Sequence, residues 1–185
     1  MDWETQKAKF FNHVATLTDL GPVKIVDFAA PGSGAYAIRY LFDEERFTLH
    51  VTGDLGTLTA VSRPDMTLKG CEAFCADPAC FAEKVVCMDR SPWEYDKDAA
   101  RADLGKIFSG REDGDGGNWV EFWEEFEWGF NPEKGMDWTV RKMAEEMLGD
   151  KGDPDLLLDV GKCENGCFAA LMGALAMARR QIFGS

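Results

Sequence analysis

Between Val23 and Val61 the chain repeats one pattern four times: a short run rich in β-branched and aromatic residues, then a tight turn. The runs are Val23–Phe28, Ala35–Phe42, Phe47–Thr52 and Thr57–Val61. Between them lie Pro31-Gly32-Ser33-Gly34, Asp43-Glu44-Glu45-Arg46 and Gly53-Asp54-Leu55-Gly56. In the second run Tyr36, Ile38 and Tyr40 fall on one face and Ala37, Arg39 and Leu41 on the other, the two-residue period of a strand. Parallel pairing needs a crossover of roughly a dozen residues, and no connection here is long enough. The segment is therefore expected to form an antiparallel meander of about four strands.

Helical patterning surrounds it. Asp2–Thr18 reads as a helix with Trp3, Phe10, Val14 and Leu17 near one face and His13 along it, ended by Gly21-Pro22. After Pro64, Leu68–Cys75 and Pro78–Cys87 read as two short helices broken at Asp77-Pro78. Trp93–Tyr95 reads as a connection, and Asp96 as the cap of a helix Lys97–Phe108. Beyond the Gly110–Gly117 loop, Asn118 is placed to cap a further helix. Glu133–Leu148 is amphipathic, and Phe168–Phe183 is a nearly all-apolar helix suited to a core, with Arg179 and Arg180 favourable at its C-terminal end. The expectation is a single α+β domain over 1–185, the sheet within about 1–63 and helices over about 64–185.

Charge limits the partners. The formal net charge is −13, spread along the chain, so nucleic acid and anionic membranes are not expected to attract it. A basic protein surface is. The first twenty residues are charged throughout, unlike a signal peptide, and the apolar run Cys167–Ala178 falls short of the roughly 20 residues that span a bilayer. A cytoplasmic protein is the expectation.

Glu112–Trp128 (EDGDGGNWVEFWEEFEW) combines dense negative charge with aromatics and holds no cation. Trp119, Phe122, Trp123 and Phe126 follow helical i, i+3, i+4, i+7 spacing, so they read as a buried stripe. The carboxylates of Glu112, Asp113, Asp115, Glu121, Glu124, Glu125 and Glu127 are left facing outward, with Trp128 off the stripe. Rigidly spaced carboxylates can occupy sites on a basic protein that otherwise hold phosphates, a DNA mimicry in which Trp128 would anchor the interface. These eight residues are the candidate partner-binding site.

Catalytic templates are absent: no GxSxG, no Walker sequence and no HExxH occurs, and no cysteine has a nearby histidine to activate it. Counted as a calcium loop, Asp113–Glu124 places acids at positions 1, 3, 9 and 12 but glycine at 5 and asparagine at 6. The pairs Cys71/Cys75 and Cys163/Cys167 would supply four thiolates for zinc, although Cys-x3-Cys reads better as a helix face carrying reduced core thiols. His13 and His50 are isolated and read as structural. No cofactor or metal is expected. A zinc-stabilised domain or metal-dependent enzyme using the cysteines remains one alternative.

Val26–Gly56 (VDFAAPGSGAYAIRYLFDEERFTLHVTGDLG) resembles a pattern in small proteins of phages and mobile elements of gut-type bacteria: a strand ending in an aromatic, a turn, a (V/I)RY-x-FDE strand and an (I/V)-(S/T)-GDLG strand. Trp93-Glu94-Tyr95-Asp96 followed by a helix is a weaker echo. Among such proteins the chain is similar to anti-CRISPR inhibitors of type II systems. The resemblance implies a non-enzymatic protein of the bacterial host cell that binds Cas9 loaded with guide RNA and blocks DNA binding or cleavage. It supplies no site residue. A phage regulatory or structural module, acidic for solubility, is the other alternative.

Overall fold

A computed structural model describes residues 7–109, 119–149 and 152–184. After a 3₁₀ turn at Ala8–Phe10 come strands β1 (Val14–Leu20), β2 (Val23–Ala29), β3 (Ile38–Asp43), β4 (Thr48–Gly53) and β5 (Gly56–Val61). Helices α1 (Glu72–Ala76) and α2 (Pro78–Ala82) precede strands β6 (Val85–Met88) and β7 (Trp93–Tyr95). Helices α3 (Lys97–Ile107) and α4 (Trp119–Gly129), the two-residue strands β8 (Phe130–Asn131) and β9 (Gly135–Met136), and α5 (Trp138–Leu148) follow. The chain ends with a 3₁₀ turn at Pro154–Leu157, β10 (Lys162–Glu164) and α6 (Gly166–Phe183). The fold class is α+β. The elements cluster into two compact units, Met1–Pro92 with Glu164–Ser185, and Trp93–Cys163.

The first unit is built on an antiparallel meander in the order β1-β2-β3-β4-β5-β6. It has six strands rather than about four, because the chain adds one at each edge. Of the helix expected over Asp2–Thr18, residues 2–6 lie outside the described residues and the rest is corrected: Ala8–Phe10 is a 3₁₀ turn, Val14–Leu20 is strand β1, and His13 lies just before it rather than on a helix. Gly21-Pro22, read as a helix stop, is the hairpin turn that pairs Leu20 with Val23, with Gly21 at φ 77°. Val85–Cys87, read as the end of a helix, belongs to β6, which pairs with β5 across a register shift between Thr59 and Ala60. The expected helices of this region shrink to the five-residue α1 and α2.

The inner face of the sheet carries Val26, Phe28, Ile38, Tyr40, Phe42, Leu49, Val51, Leu58 and Ala60, all buried. Against it lies α6, whose Phe168, Leu171, Leu175 and Ala178 are buried. The Tyr40 hydroxyl donates to the Leu171 carbonyl at 2.7 Å, satisfying a polar group inside an otherwise apolar layer. Helix α6 also caps the exposed edge: Ala15 N–H donates to Gln181 Oε1 (2.8 Å), and Gln181 Nε2 donates to the His13 carbonyl (2.9 Å). His13 is buried between Phe10 and Phe28, each 5.1 Å away ring to ring, and its Nε2 lies 3.2 Å from the Tyr36 carbonyl. On the open face the Arg39 Nε–Asp27 Oδ1 pair (2.6 Å) crosses from β3 to β2, and His50 Nδ1 lies 3.1 Å from Thr59 Oγ1.

The second unit is helical around one aromatic core. Ala100, Leu104 and Phe108 of the α3 segment, Phe122 and Phe126 of α4, Val140, Ala144 and Leu148 of α5, and Leu157 and Val160 form one buried cluster. Asp96 caps α3 by accepting from Ala99 N–H at 2.7 Å. Trp93–Tyr95, read as a connection, is a strand paired with β10. The helix expected from Glu133 begins only at Trp138, because β8 and β9 close a hairpin before it and Asp137 then caps α5. Among the described residues no helix is long and apolar enough to cross a membrane.

Candidate functional site

Helix α4 sorts its residues as a 3.6-residue period requires. Phe122 and Phe126 are fully buried, and Trp119 and Trp123 are half-buried beside them. The rings run edge-to-face: Phe108–Trp119 at 5.1 Å, Phe108–Phe122 at 5.9 Å, Phe122–Trp123 at 5.0 Å and Trp123–Phe126 at 5.6 Å. Such pairs add about 0.5–1.5 kcal/mol each beyond the area they bury. The aromatic stripe therefore holds the helix in place.

The outward carboxylates divide into two kinds. Glu127 pairs with Lys97 Nζ at 2.7 Å and with the Arg101 guanidinium, both on α3. Lys97 Nζ also donates to the Glu127 carbonyl at 2.8 Å, satisfying a backbone acceptor at the C-terminal end of α4. The Arg101 guanidinium sits 6.0 Å from the Trp123 ring centre and 5.9 Å from that of Phe126. Glu127 thus lies inside a clamp that fastens α4 to α3. Glu121, Glu124 and Glu125 are exposed. Glu112, Asp113 and Asp115 lie outside the described residues, as do the cap Asn118 and the first half of the candidate calcium loop.

Two apolar residues extend the acidic face. Trp128 is 89% exposed, and Val120, two helical turns earlier on the same stripe as Glu124, is 70% exposed. A second exposed tryptophan, Trp138, opens α5, with Lys142 Nζ 5.3 Å from its ring centre. The two belong to one junction, because Asp137 N–H donates to the Gly129 carbonyl at 2.7 Å. Gly129 makes that approach possible: a Cβ there would sit 2.4 Å from Val140 Cγ2. The spacing of the α4 stripe was readable in advance, whereas the Lys97–Arg101 clamp and Trp138 were not. Lys97 and Arg101 share a helix face, but nothing local points them at Glu127 on another helix.

The thiols give no comparable assembly. All six cysteines are free. Cys71 Sγ donates to the Leu68 carbonyl (3.4 Å), Cys163 Sγ donates to the Glu94 carbonyl (3.4 Å), and Arg90 donates to Cys167 Sγ (3.6 Å). Among the described residues no group of three or more His, Cys, Asp or Glu side chains is arranged to hold a metal ion. Comparison with known proteins adds nothing to this geometry: no family model, no curated protein and no solved structure matches the chain.

Proposed function

We propose that this protein is an acidic inhibitor that binds a nucleic-acid-handling protein through the outer face of α4. The observation that carries the reading is a helix fixed from behind by an aromatic core while presenting Glu124, Glu125 and a fully displayed Trp128. Rigid carboxylates lose little freedom on meeting a cationic groove, and an exposed tryptophan supplies a desolvating anchor. Guide-loaded Cas9 is the target the sequence resemblance implies, and its channels for PAM duplex, heteroduplex and displaced strand are lined by Arg and Lys.

The test is a pull-down and DNA-cleavage assay against guide-loaded Cas9 proteins at low and high salt. Glu124→Lys/Glu125→Lys and Trp128→Ala should each weaken inhibition, and raising ionic strength should do the same to the unmodified protein. Absence of binding and inhibition with every Cas9 tested would overturn the choice of target. Inhibition unchanged in both variants would remove α4 as the contact surface.

A further inference from the structure

In the first unit, α1 and α6 enclose a pocket of about 260 Å³ lined by Glu72, Cys75, Ala76, Ala176, Arg179 and Arg180. That volume is just under the roughly 300 Å³ at which small-molecule sites begin, enough to seat part of a small ligand beside the sulfur. Cys75 is half-buried in its wall, and Cys71, one helical turn behind, is completely buried. Arg179, only 8% exposed, is pinned in place: its Nε donates to the Leu68 carbonyl (3.0 Å) and its Nη2 to the Lys69 carbonyl (3.0 Å) and to Glu72 Oε2 (3.3 Å). Arg180 stands exposed at the rim. A fixed guanidinium and a second thiol beside a partly accessible sulfur form the electropositive surroundings in which thiolates are stabilised.

The two sulfurs are driven apart. The Cys71 hydrogen bond holds the Cys75 thiol below its ordinary range, reinforced by the charge of Arg179 and opposed by burial and Glu72. The Cys71 thiol is pushed up, first by that same hydrogen bond and then by burial. The Leu68 carbonyl accepts from both the Cys71 thiol (3.4 Å) and Arg179 Nε (3.0 Å). Cys75 is therefore the more readily ionised of the two sulfurs.

We propose that Cys75 is a thiol-modification site that forms mixed disulfides with small anionic disulfides, the guanidinium groups of Arg179 and Arg180 drawing in the ligand's carboxylates. The Cys75 thiolate attacks one sulfur of the ligand, the ligand's S–S bond breaks, and a Cys75–S bond forms. The departing thiolate leaves with the bonding pair and takes a proton from water. The protein sulfur is oxidised and half of the ligand is reduced to a thiol, so no further oxidant is needed.

The experiment treats the reduced full chain with oxidised glutathione or with neutral hydroxyethyl disulfide, reads intact mass, and maps the adduct by peptide analysis. Cys80 and the exposed Cys87 serve as internal controls. The expected result is a single glutathione adduct on Cys75, formed several-fold faster than with the neutral disulfide, with Cys80 and Cys87 left unmodified. Arg180→Glu, at an exposed position, should lower the ratio of the anionic to the neutral reaction rate several-fold. Adducts distributed over Cys80, Cys87 and Cys75 according to exposure would overturn the proposal, as would a preference unchanged by Arg180→Glu.

Discussion

Reversing the charge of Glu127 should have a different consequence from reversing that of its neighbours on the same helix. The Glu127 carboxylate faces Lys97 and Arg101, with side-chain exposures of 42%, 36% and 48%. At this exposure each pair contributes about 0.2–1 kcal/mol, so Glu127→Gln should cost about 1 kcal/mol. Glu127→Lys additionally sets a third cation against the other two. Each such repulsion is about 1 kcal/mol at 4 Å in water, which brings the loss to about 2–3 kcal/mol. Glu124→Lys and Glu125→Lys break no ion pair among the described residues and should stay within about 0.5 kcal/mol of the parent. Urea unfolding followed by tryptophan fluorescence reads all four variants, because Trp119 and Trp123 pack on the same core. The Glu127 effect should shrink in 1 M salt. A Glu127→Gln midpoint equal to the parent at low salt would refute the clamp. A Glu124→Lys loss as large as that of Glu127→Lys would refute the division into internal and outward carboxylates.

Other substitutions probe the two cores separately. Phe122→Ala empties the centre of the aromatic cluster, is expected to cost about 3–5 kcal/mol, and should broaden the near-UV signal of the neighbouring tryptophans. Tyr40→Phe deletes the hydroxyl that donates to the Leu171 carbonyl and should lower urea stability by about 1 kcal/mol with no change in secondary structure. The Asp103 carboxyl is held below its ordinary range by the Gly161 N–H, with Lys106 adding to the effect. A depressed carboxyl contributes stability that is present above its unfolded value of ~3.9 and lost as pH falls through the folded one. Asp103→Asn should therefore be less stable than the parent at pH 7, with the gap closing below about pH 4 in pH-dependent thermal melts.

Local patterning made most of the meander legible and hid its edges. The runs beginning at Val23, Ala35, Phe47 and Thr57 each have one face in the core, so alternation in the sequence tracks alternation in burial. Strand β1 is exposed along almost its whole length, and water imposes no alternation on it. Its Val14 and Leu17 also fall at a spacing that imitates a helix face when Phe10 is added. Strand β6 is short, and its register shift blurs the two-residue period. For the candidate site, the buried stripe of α4 was readable because Trp119, Phe122, Trp123 and Phe126 are neighbours in one helix. What makes Glu127 different from Glu124 comes from α3, and the guanidinium that stands beside Cys75 comes from Arg179 on α6. Both differences arise from long-range packing, which short-range periodicity does not encode.

The return of α6 to the sheet gives the chain an order of events. The first unit is interrupted after Pro92 and resumes at Glu164, so the helical unit is an insertion within it. During synthesis the insertion is complete before the closing helix of its host exists. Until then Tyr40 has no Leu171 carbonyl to bind, and the β1 edge lacks Gln181. Vectorial synthesis therefore favours early closure of the segment bearing the acidic face, while the sheet, whose six strands all precede the insertion, must remain unaggregated until the ribosome delivers the eighteen residues of α6.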